Sequence, residues 1–234
     1  MRGVFVTGTD TGVGKSVTTA GLAHALRSIG ARPGIFKPVQ SGHAAGDPAG
    51  DVGRLREWSG VDAPPSRLNV YAFEAPLAPL IAAREQGETI LLAPILERAA
   101  ELSRECDVLL VEGAGGLFVP LGERWTIADL ARALSMPVLI VARKGLGTVN
   151  HAVLTVKAVR ELALEVCGVV LNGPEAGVDP SVATNAALIE QFAQVTVVGR
   201  LPWLEGTLSA ERAAREIAPA IDAAAILEAT GTSA

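Results

Sequence analysis

A short glycine-rich segment near the start of the chain restricts the fold more than any other feature. Residues 8–16 read Gly-Thr-Asp-Thr-Gly-Val-Gly-Lys-Ser, after the apolar residues 4–6 and before a long segment of helical pattern. A strand, a glycine-rich turn and a helix start in this order form a phosphate-binding loop, because glycines let backbone N–H groups approach phosphate oxygens. Lys15 is expected to reach the terminal phosphates, and Ser16 to hold a magnesium ion. The loop is a variant, since Thr9 stands where G-x-x-x-x-G-K-[ST] has its first glycine.

Apolar runs alternate with helical segments along the rest of the chain. This alternation predicts a single α/β domain over residues 1–228 that is P-loop NTPase-like, with a mostly parallel sheet and helices on both faces. We expect residues 229–234 to form a frayed tail. The predicted strands lie near Gly3–Thr7, Pro33–Lys37, Val108–Glu112, Val138–Ala142, Cys167–Leu171 and Val195–Gly199. The predicted helices cover Gly14–Ser28, Asp51–Ser59, Glu88–Arg104, Ile127–Leu134, Val149–Leu164, Ser181–Phe192 and Ser209–Leu227. Four prolines interrupt the alternation between residues 63 and 79, and the sequence leaves the shape of that segment open.

Composition and charge narrow the functional classes. The formal net charge of the 234 residues is −5, which argues against a general nucleic-acid or lipid-binding surface. No apolar stretch reaches the length of a membrane helix, and the chain starts directly with a strand pattern. Cys106 and Cys167 fit no metal-binding spacing and are expected to be free thiols. We therefore expect a cytoplasmic protein with neither nucleic acid nor membrane as a partner.

Two further strands lead into residues that suit phosphoryl transfer. Glu112 follows the buried pattern of residues 108–111 and precedes the glycine-rich residues 113–116, so it is a candidate magnesium ligand, with a structural cap as the alternative. Lys37 follows the second strand and offers a second positive charge for a transferred phosphate, although a solvated lysine is the simpler reading. Ser41 is a candidate substrate donor or a turn cap. Because strand ends share one edge of a parallel sheet, these residues are expected to converge there.

The remaining candidates follow later strands or lie in loops. Asn172 follows the fifth strand, and its amide is suited to reading a purine edge, with a structural turn as the alternative. His151 stands near a helix start and is not assigned as a base. Asp47 and Asp51 are rival metal ligands, and Asp51 is also a candidate helix N-cap.

Taken together, these motifs resemble the dethiobiotin synthetase family. The ordered matches are residues 6–11, 13–15, 37–39, 41–42, 111–116, 146–147, 150–151 and 202–204. The shifted first glycine is a trait of that family. The resemblance implies ATP- and Mg2+-dependent ring closure of 7,8-diaminononanoate with CO2 to give dethiobiotin, ADP and phosphate, through a carbamate and a carbamic-phosphoric mixed anhydride.

The resemblance also assigns roles to residues. It implies catalytic roles for Lys15, Lys37 and Thr11, and metal ligation by Ser16, Asp51 and Glu112. It implies a homodimer in which the segment of Gly147 and Asn150 reaches the substrate of the partner, so the substrate site comprises Thr11, Ser41, Gly147 and Asn150. The implied nucleotide contacts are Gly12, Val13, Gly14, Lys15, Ser16, Val17, Asp51, Glu112, Gly113, Ala114, Gly115, Asn172, Gly173, Pro202, Trp203 and Leu204. Gly12 stands where some members carry Glu, so any role of that acid is missing here.

Two alternatives share the same loop chemistry. Switch ATPases of the ParA/MinD kind carry a lysine near the start of the loop, where this chain has Asp10, and the segment 217–230 lacks the Lys and Arg of a MinD-like membrane helix. Cobyrinate amidases need a further glutamine-hydrolysing domain with a nucleophilic cysteine, for which this chain has no room. The synthetase interpretation is therefore favoured over both.

Overall fold

The computed structural model describes residues 2–173, 177 and 179–231. The strands are β1 (Gly3–Gly8), β2 (Pro33–Phe36), β3 (Val39–Ser41), β4 (Tyr71–Phe73), β5 (Val108–Gly116), β6 (Pro120–Gly122), β7 (Trp125–Thr126), β8 (Val138–Arg143), β9 (Val166–Asn172) and β10 (Val197–Arg200). The helices are α1 (Lys15–Ser28), α2 (Asp51–Ser59), α3 (Pro65–Leu68), α4 (Pro79–Glu85), α5 (Leu92–Ser103), α6 (Ile127–Leu134), α7 (Thr148–Glu161), α8 (Val182–Ala193), α9 (Ala210–Arg212) and α10 (Ala223–Ala229).

The central sheet has six parallel strands in the order β10-β9-β8-β1-β5-β2. Alternate residues of each strand face opposite sides, so Phe5 joins one apolar core while Val4 and Val6 join the other. Helices α1, α2 and α10 cover one face, and α4 to α8 cover the other. This confirms the predicted α/β fold with a parallel sheet between two helical layers.

Two small strand pairs extend this plan. β3 and β4 form a parallel pair, and β6 and β7 form an antiparallel pair. The proline-rich segment whose shape the sequence left open contains α3 and β4 and leads into α4, with Pro65 and Pro79 both in the first turn of a helix. Proline is compatible with that position because the first helical N–H has no partner within the helix.

The structure differs from the predicted elements at two places that matter. β5 continues past Glu112 to Gly116, because Gly116 pairs with Gly8 at the end of β1. The prediction of one helix over Ser209–Leu227 was wrong: α9 passes into a π-helical turn at Ala213–Ile217 and a 3-10 turn at Ala218–Ala220, and α10 starts afresh. Pro219 cannot donate a helical hydrogen bond, and Ile221 instead bridges to Gly199 of β10.

The helix α10 lies at the C-terminal end of the fold. Ala229 ends α10, the Arg2 Nε atom donates to Thr230 Oγ1 at 3.0 Å, and the rest of the expected tail, 232–234, lies outside the described residues. Among the residues described, none of the helices has the length and apolar character needed to cross a bilayer.

Candidate active site

The phosphate loop joins β1 to α1 at the carboxyl edge of the sheet. Gly12 and Gly14 have φ values of 71° and 97°, in the left-handed region that glycine adopts most easily. Within the described chain, no side chain caps α1, so its first amides are available to an anion. The loop therefore has the backbone geometry that the sequence predicts for phosphate binding.

Lys15 is almost completely buried at the start of α1. Its Nζ atom donates to the backbone oxygen of Asp10 at 3.2 Å, so the side chain folds back over the loop. Burial, and secondly the positive charge of Lys37, lower the pKa of Lys15 to about 8. An anion placed between the two lysines would offset the repulsion that they share.

Lys37 lies at the centre of a buried charge cluster with Glu112 and Asp51. Its Nζ atom lies 2.7 Å from Glu112 Oε1, 2.9 Å from Asp51 Oδ2 and 3.0 Å from the backbone oxygen of Gly113. Lys37 and Glu112 are each 1% exposed, whereas the Asp51 side chain is 45% exposed. Burial alone would lower the pKa of Lys37, but the attraction of Glu112 and then Asp51 outweighs it and raises that pKa. Lys37 in turn holds the pKa of Asp51 below its usual range.

The predicted magnesium ligands meet at this cluster. Ser16 Oγ donates to Glu112 Oε1 at 2.9 Å, while Glu112 Oε2 is buried and has no hydrogen-bond partner in the described chain. A buried carboxylate oxygen without a partner is costly unless a cation or donor binds it. Two carboxylates and a hydroxyl are hard oxygen ligands of the kind that Mg2+ binds together with phosphate oxygens. Among the described residues, no three His, Cys, Asp or Glu side chains form a metal cluster, so the residues fit an ion that depends on the nucleotide for further ligands.

The structure separates the two rival aspartates. Asp51 begins α2 and contacts Lys37, whereas Asp47 Oδ2 lies 2.9 Å from His43 Nδ1. The backbone N–H of Ala49 and then His43 lower the pKa of Asp47. Asp51 is thus the aspartate that lies beside Glu112 and Lys37.

Thr11 lies in the exposed part of the phosphate loop. Its backbone N–H donates to Asp10 Oδ1 at 2.7 Å, and a Cβ on Gly115 would lie 3.4 Å from Thr11 Oγ1. Residues 8–11 and 116–120 line a cavity of about 440 Å³ together with residues of α7. Ser41 ends β3 and pairs with Phe73, and no hydrogen bond in the described chain joins its side chain to Thr11.

Arg143 is a functional candidate that the sequence analysis missed. It ends β8 and donates from Nη2 to Asp10 Oδ2 at 3.0 Å and to the backbone oxygen of Thr11 at 3.4 Å. Its position at a strand end was the available signal. The contact supports the conformation of the loop from outside.

The predicted base site is a separate cavity of about 390 Å³. It is lined by Val17, Arg54, Trp58, Asn172, Pro202, Trp203, Leu204, Gly206, Thr207, Leu208 and Ile217. The Asn172 amide nitrogen donates to the backbone oxygen of Val13 at 3.0 Å, so this side chain also fixes the phosphate loop. The nearby Gly173 has φ 140°, and a Cβ there would lie 3.5 Å from the backbone nitrogen of Lys144.

Gly147 and Asn150 lie at the exposed start of α7. The preceding turn is fixed by two residues: Asp179 Oδ2 accepts from the N–H of Leu146 at 2.7 Å, and Asn185 Nδ2 donates to the backbone oxygens of Lys144 and Gly145. Over residues 2–173, 177 and 179–231, no hydrogen bond or ion pair joins Gly147 or Asn150 to Lys15 or Lys37. Within one chain these two residues are therefore not brought to the charge cluster.

The fold and the phosphate loop define an α/β protein of the P-loop NTPase fold. Solved structures with this fold include the MinC:MinD complex of Aquifex aeolicus, with a TM-score of 0.57 at 13% identity over 99% of this chain and 95% of that one. A ParA family ATPase from Chlorobium tepidum TLS has a TM-score of 0.53 at 14% identity, over 100% of this chain and 95% of that one. At such identities the likeness concerns the fold alone.

Sequence comparison identifies the family. A family model described as an AAA domain matches residues 2–212. The ATP-dependent dethiobiotin synthetase BioD of Anaeromyxobacter dehalogenans (strain 2CP-C) is 51% identical over 87% of this chain and 91% of its own length. The enzyme of the same name from Bacillus cereus (strain G9842) is 42% identical over 90% of this chain and 87% of its own length. The chain belongs to the family of ATP-dependent dethiobiotin synthetases, which are ligases of biotin biosynthesis.

Proposed function

We propose that this enzyme closes the ureido ring of dethiobiotin on 7,8-diaminononanoate, with CO2 as the carbon source and ATP as the activating reagent. The observation that carries the proposal is the pair of buried lysines, Lys15 on the phosphate loop and Lys37 held by Glu112 and Asp51, at one edge of the sheet. Phosphoryl transfer needs positioning and neutralisation of charge more than covalent help from the protein. Two ammonium groups at this point supply both.

The proposed reaction has three steps. One amine of the substrate attacks CO2 and loses a proton, which forms a carbamate. A carbamate oxygen attacks the γ-phosphorus of ATP, the bond to the β-phosphate oxygen breaks, and ADP leaves. The second amine attacks the carbonyl carbon of the mixed anhydride, and phosphate departs as the ring closes and a proton is released.

In this scheme each of the predicted site side chains has a defined task. Lys15 and the loop amides hold the terminal phosphates, and Lys37 neutralises the oxygens of the carbamate and the transferred group. Thr11 and Ser41 bind the carbamate end of the substrate. The carboxylates of Glu112 and Asp51 keep Lys37 protonated, because their attraction outweighs the effect of burial on its pKa. A protonated Lys37 acts as a fixed positive charge rather than as a base.

Ser16, Asp51 and Glu112 are the proposed ligands of Mg2+. Two observations support this assignment: Glu112 Oε2 has no hydrogen-bond partner among the described residues, and the Ser16 hydroxyl donates to the same carboxylate. Held by these residues, Mg2+ would supply positive charge to neutralise the phosphates of ATP. The protein groups orient the ligand oxygens and exclude bulk water, since Glu112 is buried beneath the loop.

The adenine base is proposed to enter the cavity of Asn172, Pro202, Trp203 and Leu204. The cavity has mainly apolar and aromatic walls, with Asn172, Arg54 and Thr207 as its polar members, and such a lining suits a flat heteroaromatic ring. The amide of Asn172 already donates one hydrogen bond to Val13, which leaves its second N–H and its carbonyl oxygen for a purine edge.

A homodimer is proposed to complete the substrate site. Phe118 and Leu154, 62% and 58% exposed, line the cavity that also contains Thr11. Exposed apolar side chains beside a polar site are a frequent mark of an interface. The segment of Gly147 and Asn150 starts the same helix as Leu154, so a partner chain seated there can bring it to the substrate carboxylate.

A ParA/MinD-like switch ATPase is the rival that the fold permits. Asp10 replaces the lysine of such proteins, and its carboxylate is engaged by Arg143 within the chain. The segment 217–230 contains no Lys or Arg. These two observations favour a small-molecule enzyme over a switch.

Phosphate release distinguishes the two functions. The purified protein is given ATP, Mg2+ and bicarbonate, with and without 7,8-diaminononanoate, and separately with DNA or anionic vesicles. We expect release that depends on the diamine and is unaffected by DNA or vesicles. Release without the diamine, or release that rises only with DNA or lipid, would exclude the synthetase.

A further inference from the structure

Asn69 lies in the proline-rich segment and contacts the backbone that carries Lys37. Its Nδ2 atom donates to the backbone oxygens of Lys37 at 2.8 Å, Tyr71 at 3.0 Å and Pro38 at 3.3 Å. One side-chain amide thus joins two stretches of chain that are about thirty residues apart. The proposed reaction gives Asn69 no chemical step.

The backbone at Lys37 depends on this segment for its hydrogen bonds. β2 is the last strand in the sheet order, and its pairing with β5 ends at Phe36. The N–H of Lys37 donates to the backbone oxygen of Leu68 at 2.8 Å, and the oxygen of Pro38 accepts from the N–H groups of Val70 and Tyr71. Residues 68–71 therefore take the place of a neighbouring strand just beyond the end of β2.

Lys37 is consequently held at both ends. Glu112, Asp51 and the backbone oxygen of Gly113 hold its ammonium group, while Leu68 and Asn69 hold its backbone. A buried lysine whose backbone and ammonium group are both held by hydrogen bonds can move little relative to the group on which it acts. Such restraint matters because a displacement of about 1 Å can slow an enzyme by about 100-fold.

We propose that Asn69 is a positioning residue for Lys37, which it acts on through the backbone carbonyl oxygens of Lys37 and Pro38. The inference rests on the proposed role of Lys37 in phosphoryl transfer. An amide is required because three carbonyl oxygens converge on it: they share the two N–H donors of the NH2 group, whereas a carboxylate would repel them. The proline-rich segment thereby supplies, next to Lys37, the backbone hydrogen bonds that a neighbouring strand would otherwise supply.

The test compares Asn69→Ala and Asn69→Asp with a control in the same part of the chain. Gln86→Ala is the matched control. The side-chain amide oxygen of Gln86 accepts from the backbone N–H of Glu74 at 2.8 Å, so Gln86 also contacts the backbone of the proline-rich segment. In the described structure Gln86 forms no hydrogen bond with Lys37 or Pro38. The measurements are kcat and KM for ATP, the thermal midpoint, and hydrogen exchange of the amide of Lys37.

We expect kcat to fall at least about tenfold in Asn69→Ala and further in Asn69→Asp, with KM for ATP within about twofold of the wild type. The amide of Lys37 should exchange at least about tenfold faster in both, and neither quantity should change in Gln86→Ala. An unchanged kcat, or a loss of kcat that Gln86→Ala reproduces with the same fall in thermal midpoint, would overturn the inference.

Hydrogen exchange separates this inference from the proposed function, because it needs no turnover. A wild type that fails to use the diamine would remove the reaction and with it the positioning role. Faster exchange in the Asn69 variants would then still establish the contact. Unchanged exchange together with an active wild type would overturn the Asn69 inference alone.

Discussion

Lys37 is the residue on which the proposed reaction depends most. It is an almost fully buried ammonium group with two carboxylate partners, and its pKa is raised. A buried lysine fixed in this manner provides a preorganised positive charge where negative charge develops. The proposed function thus requires its charge, whereas nucleotide binding also has Lys15 and the loop amides.

Replacing Lys37 should separate catalysis from binding. We expect Lys37→Ala and Lys37→Gln to lower diamine-dependent turnover at least about 100-fold while ATP binding stays measurable by calorimetry. Lys37→Ala also leaves Glu112 buried without its partner, which costs about 3–5 kcal/mol, so Lys37→Gln, which keeps a donor, should unfold at a higher temperature. Lys157→Ala, an exposed lysine on α7, is the control. Loss of ATP binding in Lys37→Gln would contradict this division of roles.

The two cysteines provide a test of burial at the residue scale. Both are free, and burial raises the pKa of the Cys167 thiol to about 12. Burial also raises the pKa of Cys106. The thiolate is the reactive form, so the raised pKa keeps nearly all of Cys167 in the unreactive protonated form at pH 8. We expect slow iodoacetamide labelling of Cys167 in the native protein at pH 8 and rapid labelling of both thiols in guanidinium; rapid native labelling of Cys167 would show that it is accessible.

At the scale of elements, the phosphate loop depends on the conformation of its last glycine. Gly14 has φ 97°, and a Cβ there would overlap the side-chain amide of Asn172. The same side chain of Asn172 donates to the backbone oxygen of Val13, and this hydrogen bond joins the loop before α1 to the end of β9. The loop is therefore sensitive both to backbone strain and to crowding.

A pair of glycine variants distinguishes these two effects. Gly30 has φ 86° with nothing within 4 Å of its missing Cβ, so Gly30→Ala should cost about 1 kcal/mol of stability and leave ATP binding unchanged. Gly14→Ala adds a steric overlap to the same strain, and we expect a loss of about 2–4 kcal/mol together with weaker ATP binding. Thermal unfolding and calorimetry measure both quantities. Equal effects of the two variants would show that the contact with Asn172 is unimportant.

The sequence predicted the elements best where one local rule decides them. Local sequence patterns, above all hydrophobic periodicity, predict the alternation of strands and helices and the loop at residues 8–16. The topology of a parallel sheet then predicts that the strand ends meet at one edge. The prediction from the sequence failed in the last part of the chain. Apolar spacing suggested one helix there, but Pro219 and the bridge between Ile221 and Gly199 divide the segment. The contact of Asn69 with the backbone oxygen of Lys37 could not be predicted, because it joins segments about thirty residues apart, and Arg143 offered only the signal of its place at a strand end.

At the scale of the whole molecule, the proposed dimer links the exposed start of α7 to the substrate. Within the described part of one chain, no hydrogen bond or ion pair joins Gly147 or Asn150 to the charge cluster. A second copy seated on the surface of Phe118 and Leu154 would supply them. Dimerisation is then a requirement for substrate use, and not for ATP binding.

Two phenylalanines of equal exposure test this requirement. Phe118 is 62% exposed beside the Thr11 cavity, and Phe192 is 61% exposed on α8. We expect Phe118→Glu to give a monomer by light scattering that binds ATP but has lost diamine-dependent turnover, because a buried charge at an apolar interface is unfavourable. Phe192→Glu should remain dimeric and active. A dimeric Phe118→Glu, or dissociation by Phe192→Glu, would place the interface elsewhere.

The central claim is that a carbamate oxygen of the substrate attacks the γ-phosphate beside Lys15 and Lys37. The direct measurement is the reaction of the wild type with ATP, Mg2+, 7,8-diaminononanoate and ¹⁸O-labelled bicarbonate, with mass analysis of the phosphate released. We predict that each phosphate carries one labelled oxygen, since the oxygen that attacks phosphorus leaves with it when the second amine closes the ring. Unlabelled phosphate would mean that water attacks ATP, and it would contradict the account.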